Sequence, residues 1–255
     1  MSQIPISLQL YTLRDDISKD FVQTLRRVAE IGYRNVELAG FGGLNATDLK
    51  QVLSDLGLQA PSAHVGIDAL QGDGLGKVLE DYQEIGCSQL IVPFLGDEWR
   101  SSAQAWDRTA EVLDQIGSRL HTEGFQLGYH NHDFEFKPSD DGKTGLEHLM
   151  DGTDADLVKL ELDSYWALFA GHDPVAVIEK YADRLALVHI KDMDPADRSF
   201  APVGTGKLPL DGIIAAAQKA GGVKYLVVEQ DAATKQTPLE AVAISFQNLK
   251  QKGYA

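Results

Sequence analysis

One cysteine, Cys87, stands among 255 residues, so no internal disulfide can form. In "EIGCSQLIVPF" it reads as a small buried residue, not a nucleophile. No run of about 18 apolar residues occurs, so no membrane-spanning helix is expected. The opening "MSQIPISLQL" has neither a basic start nor a long apolar stretch. No signal peptide is expected from it, and the cytoplasm is the expected compartment. Positive charge is scarce. The 23 Lys and Arg face 38 Asp and Glu, a net charge of −15, which repels phosphate backbones and leaves little counterion release to gain. A small-molecule substrate is therefore expected, with neither nucleic acid nor membrane as partner. Nucleotide fingerprints are missing too. "SLQLYTLRDD" has no glycine-rich turn, and in "VGTGKLPL" Leu208 follows Lys207 where a phosphate loop needs Ser or Thr. That stretch reads as a substrate-covering loop, and "GFGGL" as a flexible one. No composition break or low-complexity tract divides the chain, so residues 1–255 are read as one domain. Whether it forms a homo-oligomer is left open.

What is present is alternation. The β-rich runs "PISLQLYTL", "RNVELAG", "QAPSAHVG", "SQLIVPFLG", "FQLGYHNH", "LVKLELDSYW", "RLALVHIKD" and "KYLVVEQD" are separated by amphipathic stretches. In "DFVQTLRRVAEIG" the residues Phe21, Val22, Leu25, Val28 and Ala29 form one apolar stripe, stopped by Gly32. "NATDLKQVLSDLG" repeats the design through Leu49, Val52, Leu53 and Leu56. Asp173 before Pro174 marks a helix start, and Thr237 with Glu240 forms a capping box. "TGLEHLMD" supports only a short helix. Strict strand–helix alternation implies parallel strands joined by right-handed crossovers, and eight repeats in this length imply an α/β fold, the (β/α)8 TIM barrel.

In such a barrel the chemistry collects at the C-terminal ends of the strands. Period-two alternation assigns each side chain to the axis or to the helices. Apolar Leu160, Leu162, Val188, Ile190, Leu226 and Val228 belong under the helices. Their neighbours Glu161, Asp163, His189, Lys191, Glu229 and Asp231 then point to the axis. "YHNHDFEF" adds His130 and His132, and the first three strands add Gln9, Glu37 and His64. The remaining histidines, His121, His148 and His172, read as solvated surface residues. So many ionisable groups at one end of a barrel must be paired or must ligate a metal. Two carboxylates and imidazoles from consecutive strands suit Mn²⁺, Co²⁺, Fe²⁺ or Zn²⁺ better than Ca²⁺. A self-satisfied polar network is the competing reading.

"GYRNVELAG", "APSAH", "LGYHNHDFEF", "LELDSYWALFAGHDP", "LVHIKDMD", "VGTGKLPL" and "LVVEQD" together resemble the sugar phosphate isomerase/epimerase family of xylose isomerase-like TIM barrels. The resemblance runs through almost the whole chain. It implies one divalent metal, Mn²⁺ first and Zn²⁺, Co²⁺, Fe²⁺ or Mg²⁺ as alternatives, bound by Asp163, His189 and Glu229. Where the family carries a strand-five glutamate this chain has His130, so either His130 ligates or Glu135 bends back from the loop; His130 is favoured. Trp166 stands where many relatives have histidine and would stack on a sugar face. The implied reaction is isomerisation or epimerisation of a keto sugar, inosose or related polyol through an ene-diolate. Glu229 would serve as one acid/base and His132 as the other. His64, Lys191, Trp166, Glu37 and Gln9 would bind substrate, with Glu37 anchoring the polar network, or Gln9 satisfying the core, as the alternatives. The missing strand-five glutamate raises a second reading, a lyase or dehydratase that expels water or a glycosyl group. A nuclease and a non-catalytic sugar-binding barrel are weaker readings.

Overall fold

The computed structural model describes residues 3–233 and 235–254. Eight parallel strands close into a barrel in chain order. They are β1 (Ile6–Gln9), β2 (Asn35–Leu38), β3 (Gln59–His64), β4 (Gln89–Val92), β5 (Gln126–His130), β6 (Val158–Asp163), β7 (Leu185–Ile190) and β8 (Tyr225–Val228). The crossover helices are α1 (Phe21–Ile31), α2 (Ala46–Leu56), α3 (Leu75–Ile85), α4 (Ala103–Thr122), α5 (Gly145–Asp151), α6 (Pro174–Lys180), α7 (Leu210–Ala220) and α8 (Pro238–Gln251). The (β/α)8 barrel expected from alternation is the fold observed.

The helix starts lie where the polar residues announce them. The Asp20 side chain accepts from the backbone N–H of Gln23 at the head of α1, and that of Asn45 from Asp48 at the head of α2. Asp173 caps α6 ahead of Pro174, and Thr237 with Glu240 closes the capping box of α8. The short α5 has a capping box of its own, Thr144 with Glu147. Each such cap satisfies N–H groups that have no partner inside the helix and contributes about 1 kcal/mol. Phe21, Leu25 and Val28 of α1, with Leu8, Val36 and Leu38 of the strands, are buried in the layer between helices and sheet. At roughly 1.5–3 kcal/mol per buried large apolar side chain, this layer is the main source of stability.

Inside the barrel a second, small apolar cluster of Ile91, Ala186, Leu187 and Val227 packs with Tyr225. It plugs the lower half of the barrel and leaves the upper half to polar side chains. Strand register decides which of these share a level. Gln9 pairs with Glu37, His130 with Glu161, and Asp163 with His189.

Four details differ from the sequence reading. Strand six stops at Asp163, and Ser164–Phe169 turns into a short helix because the Asp163 Oδ1 accepts the N–H of Trp166. Beyond β7, Asp192–Met193 pairs antiparallel with Phe200–Ala201, adding a hairpin. The "VGTGKLPL" loop that follows is tied down. The buried Asp192 carboxylate accepts N–H groups from Met193, Gly204, Gly206 and Leu208. A Cβ on Gly206 would fall 2.3 Å from Asp192 Oδ1 and from Met193 O, so the close approach needs glycine. His148 is not a surface residue: it is 5% exposed, its Nδ1 2.8 Å from Asp107 Oδ1 and its Nε2 3.3 Å from Asp141 Oδ1.

Candidate metal centre

The ends of β5 to β8 bring one donor atom each from His130, Asp163, His189 and Glu229 within 4.8 Å of one another, all four residues buried. His130 Nε2 lies 3.5 Å from Asp163 Oδ2, and His189 Nδ1 lies 2.8 Å from Glu229 Oε2. Ligand bonds to a first-row divalent ion are about 2.0–2.2 Å, so this spacing closes around such an ion with little movement. Asp163 is divided between two tasks, since Oδ1 caps the short helix while Oδ2 faces the cluster. Burial holds His130 well below the ordinary imidazole range, with His189 and Lys191 adding to it, which leaves it neutral as a ligand must be.

A layer beneath orients these candidate ligands. Glu161 Oε2 lies 2.8 Å from His64 Nε2, 2.9 Å from His130 Nδ1 and 3.1 Å from His189 Nε2. Glu37 Oε1 lies 2.8 Å from His189 Nε2 and accepts from Gln9 Nε2, also at 2.8 Å. A carboxylate on the far nitrogen fixes ring orientation and tautomer, so that the other nitrogen is presented to an ion. Burial opposes charge on His64, yet Glu37 and Glu161 push it up to about 10. Gln9 and Glu37, read from sequence either as substrate-binding or as part of the polar network and core, are fully buried at this level. Gln9 spends both ends of its amide, one on Glu37 and one on the N–H of Tyr11.

The donor set also fits a divalent cation by charge. Glu37, Glu161, Asp163, Glu229 and Asp231 bring five carboxylates. Lys191 and His64, the latter held toward its charged form, supply two cations while His189 is neutral as a ligand must be, and five minus two leaves three negative charges. Glu37 Oε2 and Glu161 Oε1 are buried without any hydrogen-bond partner. Uncompensated buried charge of this size is costly, and a divalent ion offsets most of it.

Above the ligands a cavity of about 550 Å³ opens at the C-terminal face of the barrel. Its floor is polar: His64, His130, His132, Lys191, Glu229 and Asp231. The Lys191 ammonium is buried 2.8 Å from Asp163 Oδ2, 2.7 Å from Glu229 Oε2 and 3.0 Å from Asp231 Oδ1. Burial would raise the Glu229 carboxyl, but Lys191 and His189 outweigh it and hold Glu229 below the usual carboxylate range. His132 sits against Phe94, Phe134 and Trp166, each ring centroid 5.6 Å away. Its buried Nδ1 has no hydrogen-bond partner, and burial followed by the charge of Lys191 lowers it to about 3. Trp166 is placed behind His132, outside the residues that line the cavity, with its own indole N–H buried and unpartnered.

Glu135 does not reach the cluster. Its carboxyl group accepts the Tyr129 hydroxyl at 2.6 Å and the His132 N–H at 2.7 Å, and so braces the turn that carries His132. Of the two alternatives on strand five, only His130 joins the candidate ligands. Sequence reasoning gave Glu161 no role, although the alternation in "LELD" already put it on the axis. It also passed over Tyr11 and Phe94, which the structure places at the cavity rim just beyond the ends of β1 and β4.

The description "xylose isomerase-like TIM barrel" matches residues 25–252. The chain belongs to that family. Among curated proteins it is 26% identical over 209 residues to an inosose dehydratase of Geobacillus kaustophilus (71% of this chain, 64% of that protein). It is 29% identical over 166 residues to one of Lacticaseibacillus casei (58% and 53%). The matched region thus spans about half to two thirds of these relatives' length. A crystal structure of a sugar phosphate isomerase/epimerase from Parabacteroides distasonis superposes with a TM-score of 0.82 at 25% identity, covering 97% of this chain and 98% of that one. The IOLI protein, solved with a bound zinc atom, shares the fold at 14% identity, with a TM-score of 0.75 over 98% of this chain and 99% of its own.

Proposed function

We propose that the chain is a divalent-metal-dependent lyase of the dehydratase kind. It would act on a keto sugar, inosose or related polyol, removing the proton beside the carbonyl and expelling the group on the next carbon. One observation carries this choice over epimerisation: the cavity floor offers unlike proton-handling groups. Inverting a carbon calls for one group on each face, each able to serve as base and as acid. Here the floor sets His132, whose buried Nδ1 has no hydrogen-bond partner, near a lysine ammonium held 2.7–3.0 Å from three carboxylates. An elimination uses such unlike partners.

The divalent ion held by His130, Asp163, His189 and Glu229, with Mn²⁺ the first to test and Zn²⁺, Co²⁺, Fe²⁺ or Mg²⁺ as alternatives, would polarise the carbonyl and acidify the neighbouring C–H. His132, uncommitted to any protein partner, takes that proton. The C–H electrons form the new double bond as the β C–O bond breaks, and Lys191 Nζ gives a proton to the departing oxygen, which leaves as water or an alcohol. Lys191 regains a proton from solvent and His132 releases one, so the cycle is redox-neutral. His64 donates to a substrate oxygen. Glu229 and Asp163 keep Lys191 charged and aimed into the cavity. The inosose dehydratase relatives support this reading.

An isomerase or epimerase is the second reading. It is supported by the likeness to the Parabacteroides distasonis protein and by His132 and Glu229 lining one cavity from β5 and β8. The test incubates Mn²⁺-loaded protein with keto sugars and inososes in D₂O and follows products by mass and NMR. Loss of water or of an alcohol supports the lyase. A product of unchanged formula carrying deuterium at the inverted or isomerised carbon transfers the assignment to the second reading.

A further inference from the structure

The cavity has two tiers of different chemistry. Below lie the ionisable groups described above. The rim is apolar, made by Tyr11 and Ala39 on one side and Pro93 and Phe94 on the other. Tyr11 and Phe94 are 47% and 51% exposed, and only one other large apolar side chain among the described residues, Ile244, is comparably exposed. Two of the three therefore sit at one opening. Exposed apolar surface concentrated in this way marks a binding site more often than chance.

Both rings are also braced. The Arg14 guanidinium lies 4.5 Å from the Tyr11 ring centroid, and its nitrogens donate to Tyr11 O and to Asp231 O on the far side of the β1–β8 seam. Phe94 meets His132 and Phe134 edge-on at 5.6 and 5.5 Å. Arg100 spans Phe134 and Phe94, 3.9 and 5.7 Å from their centroids, and is fixed by donating to Leu95 O. Exposed rings held by cation–π contacts are pre-positioned, so little ordering remains to be done when a ligand arrives.

A free polyol carries hydroxyls around its whole ring and would leave an apolar rim unused. It would also underfill the space. A pyranose has roughly a dozen non-hydrogen atoms, and even at the ~30 Å³ each that water takes in the liquid it leaves about a third of 550 Å³ empty. We infer that Tyr11 and Phe94 form an outer subsite for a second ring, a glycosyl or aryl group attached through oxygen to the sugar on the polar floor. The natural substrate class is then a glycoside, and in the lyase reading, on which this assignment of substrate rests, that attached ring is carried by the departing oxygen.

The experiment measures binding, not turnover. Phenyl and methyl glucopyranosides, as α and β pairs, are titrated calorimetrically into Mg²⁺-loaded wild type, Tyr11→Ala, Phe94→Ala and the double variant. In at least one pair the phenyl compound is expected to bind ten or more times more tightly than the methyl one. The double variant should cut that ratio to threefold or less, through loss of phenyl affinity. Equal affinities within both pairs, a preference that survives the double variant, or no detectable binding of any of the four overturns the outer subsite. Because no chemistry is read, failure here leaves the D₂O result standing. Equally, turnover without elimination removes the lyase reading but not the subsite.

Discussion

At the scale of single residues, much turns on how burial and neighbours set proton affinity. Burial pushes the Glu135 carboxyl up to about 8 from 4.5, although the Tyr129 hydroxyl and the His132 N–H oppose it. Between those two values the folded chain keeps a proton that the unfolded chain has released, so this group makes stability fall as pH rises through the window. Glu135→Gln should flatten that part of the stability–pH curve, measured by urea unfolding at steps from pH 4.5 to 8. An unchanged slope would show that Glu135 is not its source. Lys191 is expected to act as a proton donor, a role worth about 10²–10⁴ in rate. Lys191→Met should therefore lower kcat by that factor on any substrate the D₂O assay identifies, while Mn²⁺ still binds. His130, Asp163, His189 and Glu229 were legible in the sequence because period-two alternation and position at a strand end are local properties. The orienting part of Glu161 was not, since it needs the register that sets one carboxylate against imidazoles from three other strands.

At the scale of elements, the loops after the strands carry what the strands cannot. The Asp192 carboxylate gathers four N–H groups of the hairpin and the "VGTGKLPL" loop. Asp192→Ala would strand several of them and is expected to cost about 3 kcal/mol or more, read by chemical denaturation. Thr237→Ala should cost only about 1 kcal/mol, because it removes one cap of one helix. A loss at Asp192 no larger than at Thr237 would mean that water replaces the carboxylate. Helix starts were readable since a capping side chain and its target are two or three residues apart. The tied loop was not, because Asp192 and Leu208 meet only once the hairpin has folded between them. His148 was misjudged for the same reason, its partner Asp107 lying 41 residues away.

At the scale of the whole molecule, the barrel collects five carboxylates at one mouth and has to balance them. An ion bound only by the folded state stabilises it by mass action, about 2.7 kcal/mol at one hundred times Kd. For a chain of this size that corresponds to a rise in Tm of roughly 5–10 °C. Thermal unfolding with Mn²⁺ and with EDTA should show that difference in wild type, and Asp163→Ala should abolish it. A shift that persists in Asp163→Ala would place the ion elsewhere.

The sequence by itself determined the alternation of elements, the closed parallel barrel and the strand-end residues turned to its axis, because hydrophobic periodicity and capping act over a few positions. Only the tertiary structure decided that Glu135 serves the His132 turn, that Lys191 sits among three carboxylates, and that Tyr11 and Phe94 share one opening. Each of these joins atoms from distant parts of the chain, and their distances are set when the sheet closes, not by spacing along the sequence.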